Sequence, residues 1–216
     1  FCGSIAHADP ASEWCLVAAA LEAEMVARNA KGTRTIPAQE FFRGIMTTAL
    51  QEDELLTEVR LPILPADTRF GFYEFNRRAG DFALAMALVT FRVEGGVISE
   101  PRVAVGGVEA QPRRIAPAEQ ALAGQAPAAA AFEAAAATVA SAVDPLDDAT
   151  TSAAYRRDLA CTVTRRAERP PGAGCVRGRS RARPSRARPR PGRRCTARSP
   201  CAPPSTALSS APPSLP

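Results

Sequence analysis

The stretch FGFYEFNRRAGDFALAMALVTFRVEGGVISEPRVAVGGV, residues 70–108, decides the fold of this chain. It opens with closely spaced aromatic residues. Side chains alternate along a strand, so Phe70 and Phe72 fall on one face and Tyr73 and Phe75 on the other. Aromatic residues on both sides predict a strand that is buried, at least in part, on both faces.

The remainder of this stretch predicts a helix that runs into a β-hairpin. Asp81 is suited to cap a helix over the run of Ala, Leu and Met that follows it, and this run then continues as a strand. The Gly95-Gly96 pair is typical of a tight turn between strands, and the segment VISEPRVAVGGV completes the hairpin.

Beyond the hairpin, the pattern changes to that of helices. Three helical segments are predicted, APAEQALAG at 116–124, PAAAAFEAAAATVASAV at 127–143 and TTSAAYRRDLACTVTRRA at 150–167. The second is dominated by alanine, the best helix former. Strands followed by helices predict an α+β fold for this part of the chain.

The first 62 residues read as a separate group of short elements. PASEWCLVAAAL at 10–21 predicts a helix with Ser12 as its cap, and EAEMVARN at 22–29 predicts a strand that ends in a turn near Gly32. A loop with a short helical turn follows, and DELLTEVRLP at 53–62 predicts another strand, with Val59 facing opposite to Glu58.

Two composition breaks predict three regions. Pro62 and Pro65 mark a boundary between a domain at 1–62 and a domain at 63–167. The remaining residues, 168–216, are rich in Arg and Pro and contain almost no large apolar side chain, so we expect a disordered tail. The abrupt break favours an out-of-frame translation of a GC-rich gene, and the alternative is a genuine basic tail that binds polyanions.

The positive net charge is confined to that tail. Residues 1–168 hold 16 Lys and Arg against 22 Asp and Glu, a charge of −6, and residues 169–216 hold 11 Arg and no acid, so −6 + 11 gives the overall +5. The globular part is mildly acidic, and its composition does not predict a nucleic-acid partner.

Three further features of the sequence concern metal binding, membrane spanning and cellular location. The six Cys residues include no CxxC pair, so the spacing does not predict a metal site. No apolar run approaches the roughly 20 residues that span a bilayer. The start at Phe1 lacks the character of a signal peptide, and we expect a cytoplasmic protein truncated at its N-terminus.

The stretch GSIAHADPASEW, residues 3–14, carries the candidate chemistry. Gly3 and Ser4 predict a tight turn whose backbone N–H groups can cradle phosphate oxygens. His7 and Asp9 place polar side chains close by, and Glu13 at the start of a helix can accept hydrogen bonds from ribose or ribityl hydroxyls. This pattern fits a nucleotide-like cofactor better than an acid–base pair.

The same residues resemble a known family. CGSIAHADPASEW resembles the second flavin-binding motif of the FAD-binding (medium) subunit of molybdenum hydroxylases, the group of aerobic carbon monoxide dehydrogenase and xanthine dehydrogenase. FFRGIMTTALQEDELLTEVRLP and YEFNRRAGDFALAMALVTF resemble later parts of that subunit in the same order, through to about Ala167. Cys2 stands where the family has the first glycine of a pair.

The resemblance implies a fold and a set of cofactor contacts. The fold would be the C-terminal half of a PCMH-type FAD-binding domain followed by an α+β CO dehydrogenase flavoprotein C-terminal domain. Gly3 and Ser4 would contact the FAD pyrophosphate, and Leu55 and Tyr73 would lie near the flavin ring. His7, Asp9 and Glu13 would lie near its phosphates and ribityl chain.

The resemblance also implies a function. The chain would accept electrons from the iron–sulfur clusters of a small subunit and pass them through FAD to an external acceptor. The substrate would be oxidised in a large molybdenum-cofactor subunit. No residue here would be catalytic, because the flavin carries the redox chemistry. Two alternatives stay open, a non-enzymatic Arg-rich polyanion-binding protein and an inactive gene fragment.

Overall fold

The computed structural model describes residues 1–149 and 151–168, and these residues form two main sheets flanked by helices. In the first 60 residues the elements are α1 (Cys2–His7), α2 (Glu13–Ala20), β1 (Glu24–Asn29), β2 (Gly32–Pro37), α3 (Ala38–Phe41), β3 (Phe42–Gly44), β4 (Thr47–Thr48) and β5 (Leu55–Arg60). After residue 68 they are β6 (Arg69–Phe75), β7 (Ala85–Glu94), β8 (Val97–Gly106), β9 (Arg113–Arg114), α4 (Ala116–Leu122), α5 (Ala129–Ala142) and α6 (Ala153–Ala167).

The three-stranded sheet has the order β2-β1-β5, and β3 pairs with β4 in a small separate ladder. Both neighbours of β1 run antiparallel to it. The four-stranded sheet has the order β6-β7-β8-β9 and is antiparallel throughout. The mixture of antiparallel sheets and flanking helices confirms the α+β prediction.

Helix α2 lies between the two sheets. Cys15 and Ala18 face the core of the three-stranded sheet, whereas Leu16 and Ala20 face one side of the four-stranded sheet. A helix that is covered on two sides needs apolar residues all round, which explains the sequence EWCLVAAA. Through α2, the segment that carries the candidate site is fixed to both sheets.

Strand β7 is covered on both faces. Ala85, Ala87 and Val89 pack into the core beneath α4, α5 and α6, and Met86 and Leu88 pack against α2 on the other side. This double burial explains the continuous apolar run of the sequence. It also corrects the predicted helix after Asp81, because pairing with β6 and β8 outweighs the helix preference of Ala, Leu and Met.

The strand predicted from the aromatic residues between Phe70 and Phe75 is confirmed as β6, but its burial is one-sided. Tyr73 and Phe75 pack against the core under the helices, whereas Phe70 is 70% exposed and Phe72 is 43% exposed. The structure therefore leaves an open aromatic face on β6, next to α2.

The predicted helices and hairpin are otherwise present. The hairpin of β7 and β8 turns at Gly95 and Gly96, both of which have positive φ. Helix α6 is capped by the Ser152 hydroxyl, which accepts from the backbone N–H of Tyr155 at 3.3 Å. Glu168, the first residue of the predicted tail, is the C-cap of α6, and the other residues of that prediction, 169–216, lie outside the described ranges.

Within the described ranges, no helix has both the length and the apolar character that crossing a membrane requires.

Candidate flavin-binding site

Gly3 and Ser4 lie in helix α1, which corrects the predicted tight turn. Both residues belong to the first turn of this helix, where backbone N–H groups have no carbonyl partner inside the helix. The backbone N–H groups predicted to bind phosphate oxygens therefore belong to the first turn of a helix and not to a tight turn.

Gly3 is an open position in the first turn of α1. The residue is exposed, and a Cβ atom added to it would meet nothing within 4 Å. Gly3 does not have the left-handed backbone that favours glycine elsewhere in the chain. Neither packing nor backbone strain in the described residues requires a glycine here, and the space beside its backbone is open.

Ser4 anchors α1 to α2. Its hydroxyl lies 2.9 Å from the hydroxyl of Ser12, and its carbonyl accepts a 3.7 Å hydrogen bond from the Cys15 thiol. Ser12 occupies the predicted N-cap position of α2, but its side chain makes no cap hydrogen bond because it faces Ser4 instead. Burial raises the pKa of the Cys15 thiol to about 11, so this Cys is a structural group and not a nucleophile.

Hydrogen bonds of Ala8 and Asp9 shape the loop after α1. Ala8 ends the helix with a left-handed backbone, φ 53°, and its carbonyl accepts from the N–H of Met46 at 3.1 Å. The Asp9 carboxylate accepts from the N–H of Ala11 at 2.8 Å, which closes a tight Asx turn. His7 is exposed in the last turn of α1.

Glu13 begins α2 and is exposed at the rim of an apolar cleft of about 540 Å³. The cleft is also lined by Phe70 and Phe72 of β6 and by Leu88 of β7. Glu74 follows on the same face of β6, and its pKa is raised by burial first and then by the charge and hydrogen bonding of Glu13. Alternation along the strand placed Glu74 on the face of Phe70 and Phe72, but sequence reasoning did not include Glu74 among the site residues.

Leu55 and Tyr73, the two residues expected near the flavin ring, lie on different strands. Leu55 begins β5 and is 73% exposed, which is unusual for a leucine inside a strand. Tyr73 lies on the helix-covered face of β6, where its hydroxyl accepts from the guanidinium of Arg166 on α6. The same guanidinium lies over the ring, 4.9 Å from its centroid. Sequence reasoning gave no indication of this Arg166 contact.

The structure thus brings only some of the predicted site residues together. Gly3, Ser4 and His7 share α1, which is joined to α2 through the hydroxyl of Ser12. Tyr73 lies apart from Glu13, because Glu13 lines the cleft together with Phe70 and Phe72, and Tyr73 points to the opposite face of β6.

The chemistry of these groups fits FAD. Exposed N–H donors at a helix start suit the pyrophosphate, an exposed carboxylate suits the ribityl hydroxyls, and an exposed leucine suits the flavin ring. Among residues 1–149 and 151–168, no group of three or more His, Cys, Asp or Glu side chains is arranged to hold a metal ion.

Two family models match the chain. One, described as the FAD binding domain in molybdopterin dehydrogenase, matches residues 1–64, and the other, the CO dehydrogenase flavoprotein C-terminal domain, matches residues 70–169.

Curated relatives are similar over most of the described residues. The nicotine 6-hydroxylase medium subunit of Paenarthrobacter nicotinovorans is 37% identical over 164 residues, which are 76% of this chain and 57% of the relative. The glyceraldehyde dehydrogenase medium chain of Sulfolobus acidocaldarius is 33% identical, with 76% of this chain and 58% of the relative covered. The chain thus spans less than two thirds of the length of these relatives.

Solved structures show the same similarity. Carbon monoxide dehydrogenase from Hydrogenophaga pseudoflava superimposes with a TM-score of 0.73 at 35% identity, covering 76% of this chain and 57% of that chain. Quinoline 2-oxidoreductase from Pseudomonas putida 86 gives a TM-score of 0.72 at 33% identity, covering 77% of this chain and 57% of that chain.

Proposed function

Because this chain belongs to the family of FAD-binding medium subunits of molybdenum hydroxylases, we propose that it holds FAD as an electron-transfer subunit of such an enzyme. Electrons from iron–sulfur clusters would reach the flavin and leave to an external acceptor. The observation that carries the proposal is the match to the FAD binding domain in molybdopterin dehydrogenase over residues 1–64, followed by the match to the CO dehydrogenase flavoprotein C-terminal domain over residues 70–169.

Different residues of this chain would bind different parts of FAD. The N–H groups of Gly3 and Ser4 would bind the pyrophosphate, and the Ser4–Ser12 hydrogen bond keeps α1 in position for this. His7 and Asp9 would flank the phosphates, and Glu13 would accept from a ribityl hydroxyl. Leu55 and Tyr73 would contact the ring, which for Tyr73 requires approach at the open edge of β6.

The bound flavin supplies the one- and two-electron chemistry, and the protein supplies binding, orientation and electrostatics. His7 is therefore proposed as a binding residue and not as a general base. Its exposed position, without a carboxylate partner among its described contacts, agrees with this role.

The proposal also includes two partner subunits and a substrate that this chain does not itself bind. A large molybdenum-cofactor subunit would oxidise the substrate, and a small iron–sulfur subunit would deliver electrons to this chain. The names of the relatives include nicotine, glyceraldehyde and carbon monoxide, so the flavin subunit does not specify one substrate. A cytoplasmic location remains a prediction from the sequence.

The test is the visible absorption spectrum of the full chain after incubation with excess FAD and removal of free cofactor. We expect a flavin band with close to one FAD per chain. A colourless protein that remains folded would contradict the proposal and favour the inactive fragment. Salt-sensitive RNA binding by a colourless protein would instead favour the polyanion-binding alternative.

A further inference from the structure

We propose that Arg156 of α6 is a positioning residue for FAD binding: through Gly107 it fixes the loop of residues 8–12, which connects the two helices that carry expected FAD contacts. Arg156 is not itself among those expected contacts. The inference rests on the proposed function, because the role of the two helices toward FAD comes from it.

The loop of residues 8–12 sets the spacing within the candidate site. Gly3 and Ser4 lie in α1, before the loop, and Glu13 begins α2, directly after it. The position of the loop therefore determines how far the N–H groups expected to bind the pyrophosphate lie from the carboxylate expected to bind the ribityl chain.

The middle of this loop is joined to the end of strand β8. Pro10 is buried, and its carbonyl accepts a 2.7 Å hydrogen bond from the N–H of Gly107, the residue that follows β8. A Cβ atom on Gly106 would lie only 3.2 Å from the same carbonyl oxygen. The loop thus lies directly on the strand backbone, where glycine leaves room for it.

Gly107 is held from its other side by Arg156. The Gly107 carbonyl accepts from Nη1 of Arg156 at 2.7 Å, and the same nitrogen donates to the carbonyl of Leu84 at 3.1 Å. Gly107 has a φ of +73°, and a Cβ atom on it would lie 2.8 Å from the carbonyl oxygen of Ala83. Gly107 therefore connects the loop, through its N–H, to the guanidinium, through its carbonyl.

The guanidinium is the donor that holds the carbonyls of Leu84 and Gly107 close together. Arg156 is 6% exposed, so solvent has little access to replace its N–H groups, and buried carbonyls without a donor are costly. Asp148 accepts from Nη2 and balances the buried positive charge. Without the guanidinium we expect Gly107 to shift, and Pro10 to shift with it.

This connection joins the two regions that the family models match. The loop belongs to residues 1–64, whereas Gly107 and Arg156 belong to residues 70–169. A loop that is already fixed has less conformational freedom to lose when a ligand binds. The second region would therefore raise FAD affinity through a residue that does not contact the cofactor.

The first experiment measures amide hydrogen exchange by NMR in the full chain without cofactor. The N–H of Ser12, which donates to the Asp9 carbonyl at 3.0 Å, reports on the loop. We expect Arg156→Lys to speed this exchange about tenfold or more, because a lysine cannot keep all the contacts of the guanidinium and the loop then opens locally. Unchanged exchange at Ser12 would overturn the positioning role.

Two variants serve as controls for that measurement. Arg157→Lys, on the exposed side of α6, should leave the exchange at Ser12 unchanged. Val139→Ala removes buried methyl groups from α5, which packs against α4 and α6, so it should lower stability without loosening the loop. If Val139→Ala speeds exchange at Ser12 as much as Arg156→Lys does, the effect is one of global stability and the proposal is wrong.

The second experiment measures the FAD dissociation constant by fluorescence quenching. We expect Arg156→Lys to raise it about tenfold, and Gly106→Ala to raise it as well, because the added methyl group presses on the Pro10 carbonyl. Both changes act on one connection, so the double variant should show less than the product of the two single effects. Effects that multiply would contradict the connection.

The two experiments separate this inference from the proposed function. If wild type and Arg156→Lys bind FAD equally well, the positioning role is overturned even where exchange at Ser12 is faster. If no variant and no wild type binds FAD, the proposed function fails, and the exchange measurements still decide whether Arg156 fixes the loop.

Discussion

Gly71 lies where α6 crosses β6, and there the backbones leave no room for a side chain. A Cβ atom at this position would be 1.7 Å from the carbonyl oxygen of Ala167. We expect Gly71→Ala to lower the free energy of unfolding by about 2–3 kcal/mol, because backbone atoms must move apart. Gly44→Ala in β3 is the control, since its Cβ would meet nothing within 4 Å. Similar midpoints for the two variants in urea unfolding would contradict the close approach.

Arg156 is a buried side chain that connects three segments around the four-stranded sheet. Its guanidinium donates to the carbonyls of Leu84 at 3.1 Å and Gly107 at 2.7 Å, and it also pairs with Asp148.

Lysine cannot reproduce this set of directed donors, so we expect Arg156→Lys to cost about 3 kcal/mol in the free energy of unfolding. Arg157→Lys, one residue further on the exposed side of α6, should change it by less than about 0.5 kcal/mol. A loss of the same size in both variants, measured by denaturant unfolding, would show that the Arg156 contacts are unimportant.

At the residue scale, the sequence indicated the polar character of the site but not its contacts. Gly3, Ser4 and Glu13 were proposed for FAD from their types and from the resemblance, and these assignments remain predictions. The Arg166 contact to Tyr73 joins residues far apart in the sequence. Such contacts depend on how α2 and α6 cover the sheet, which local pattern does not determine.

A fork-like ion pair ties strand β2 to the loop that precedes β5. Arg34 donates through Nε and Nη2 to the two carboxylate oxygens of Glu54, at 2.6 and 2.7 Å, and the N–H of Gln51 donates to the same carboxylate at 2.8 Å. These hydrogen bonds, the one from Arg34 first, lower the pKa of Glu54 from 4.5 to about 2.

This lowered pKa predicts a defined loss of stability in acid. The contribution of Glu54 is complete above about 4.5, its value without partners, and declines as pH falls toward about 2. Glu54→Gln should therefore flatten the pH dependence of the thermal midpoint in that range. Glu52→Gln, in the same exposed loop, should leave the acid profile of wild type intact. An unchanged profile in Glu54→Gln would contradict the pair.

Elements with a strong local pattern were predicted and those decided by neighbours were not. Helices α4, α5 and α6 and the β7–β8 hairpin follow from alanine content, apolar spacing and the Gly95-Gly96 turn. Strand β7 was assigned a helical start because its alanines and leucines favour helix in isolation. Strand β2 was not identified, since only Ile36 within it is buried and its pattern is polar.

At the scale of the whole molecule, every helix and strand named above lies within residues 1–168. We expect a shortened chain ending at Glu168 to keep the cooperative unfolding transition and the FAD binding of the full chain. If the full chain binds RNA and the shortened chain does not, with binding that weakens steeply with salt, the polyanion-binding alternative would gain support. The division at residues 62 and 63 remains a prediction, because α2 contacts both sheets.

The most direct test of the central claim, that the first turn of α1 holds FAD, is a fluorescence titration of FAD with wild type and Gly3→Ala. The added methyl group meets nothing in the chain, and alanine favours helix, so the free energy of unfolding should rise by about 0.5–1 kcal/mol. FAD affinity should nevertheless fall at least about tenfold, because the methyl group occupies the space of the pyrophosphate. Equal FAD affinity in the two proteins would contradict the claim.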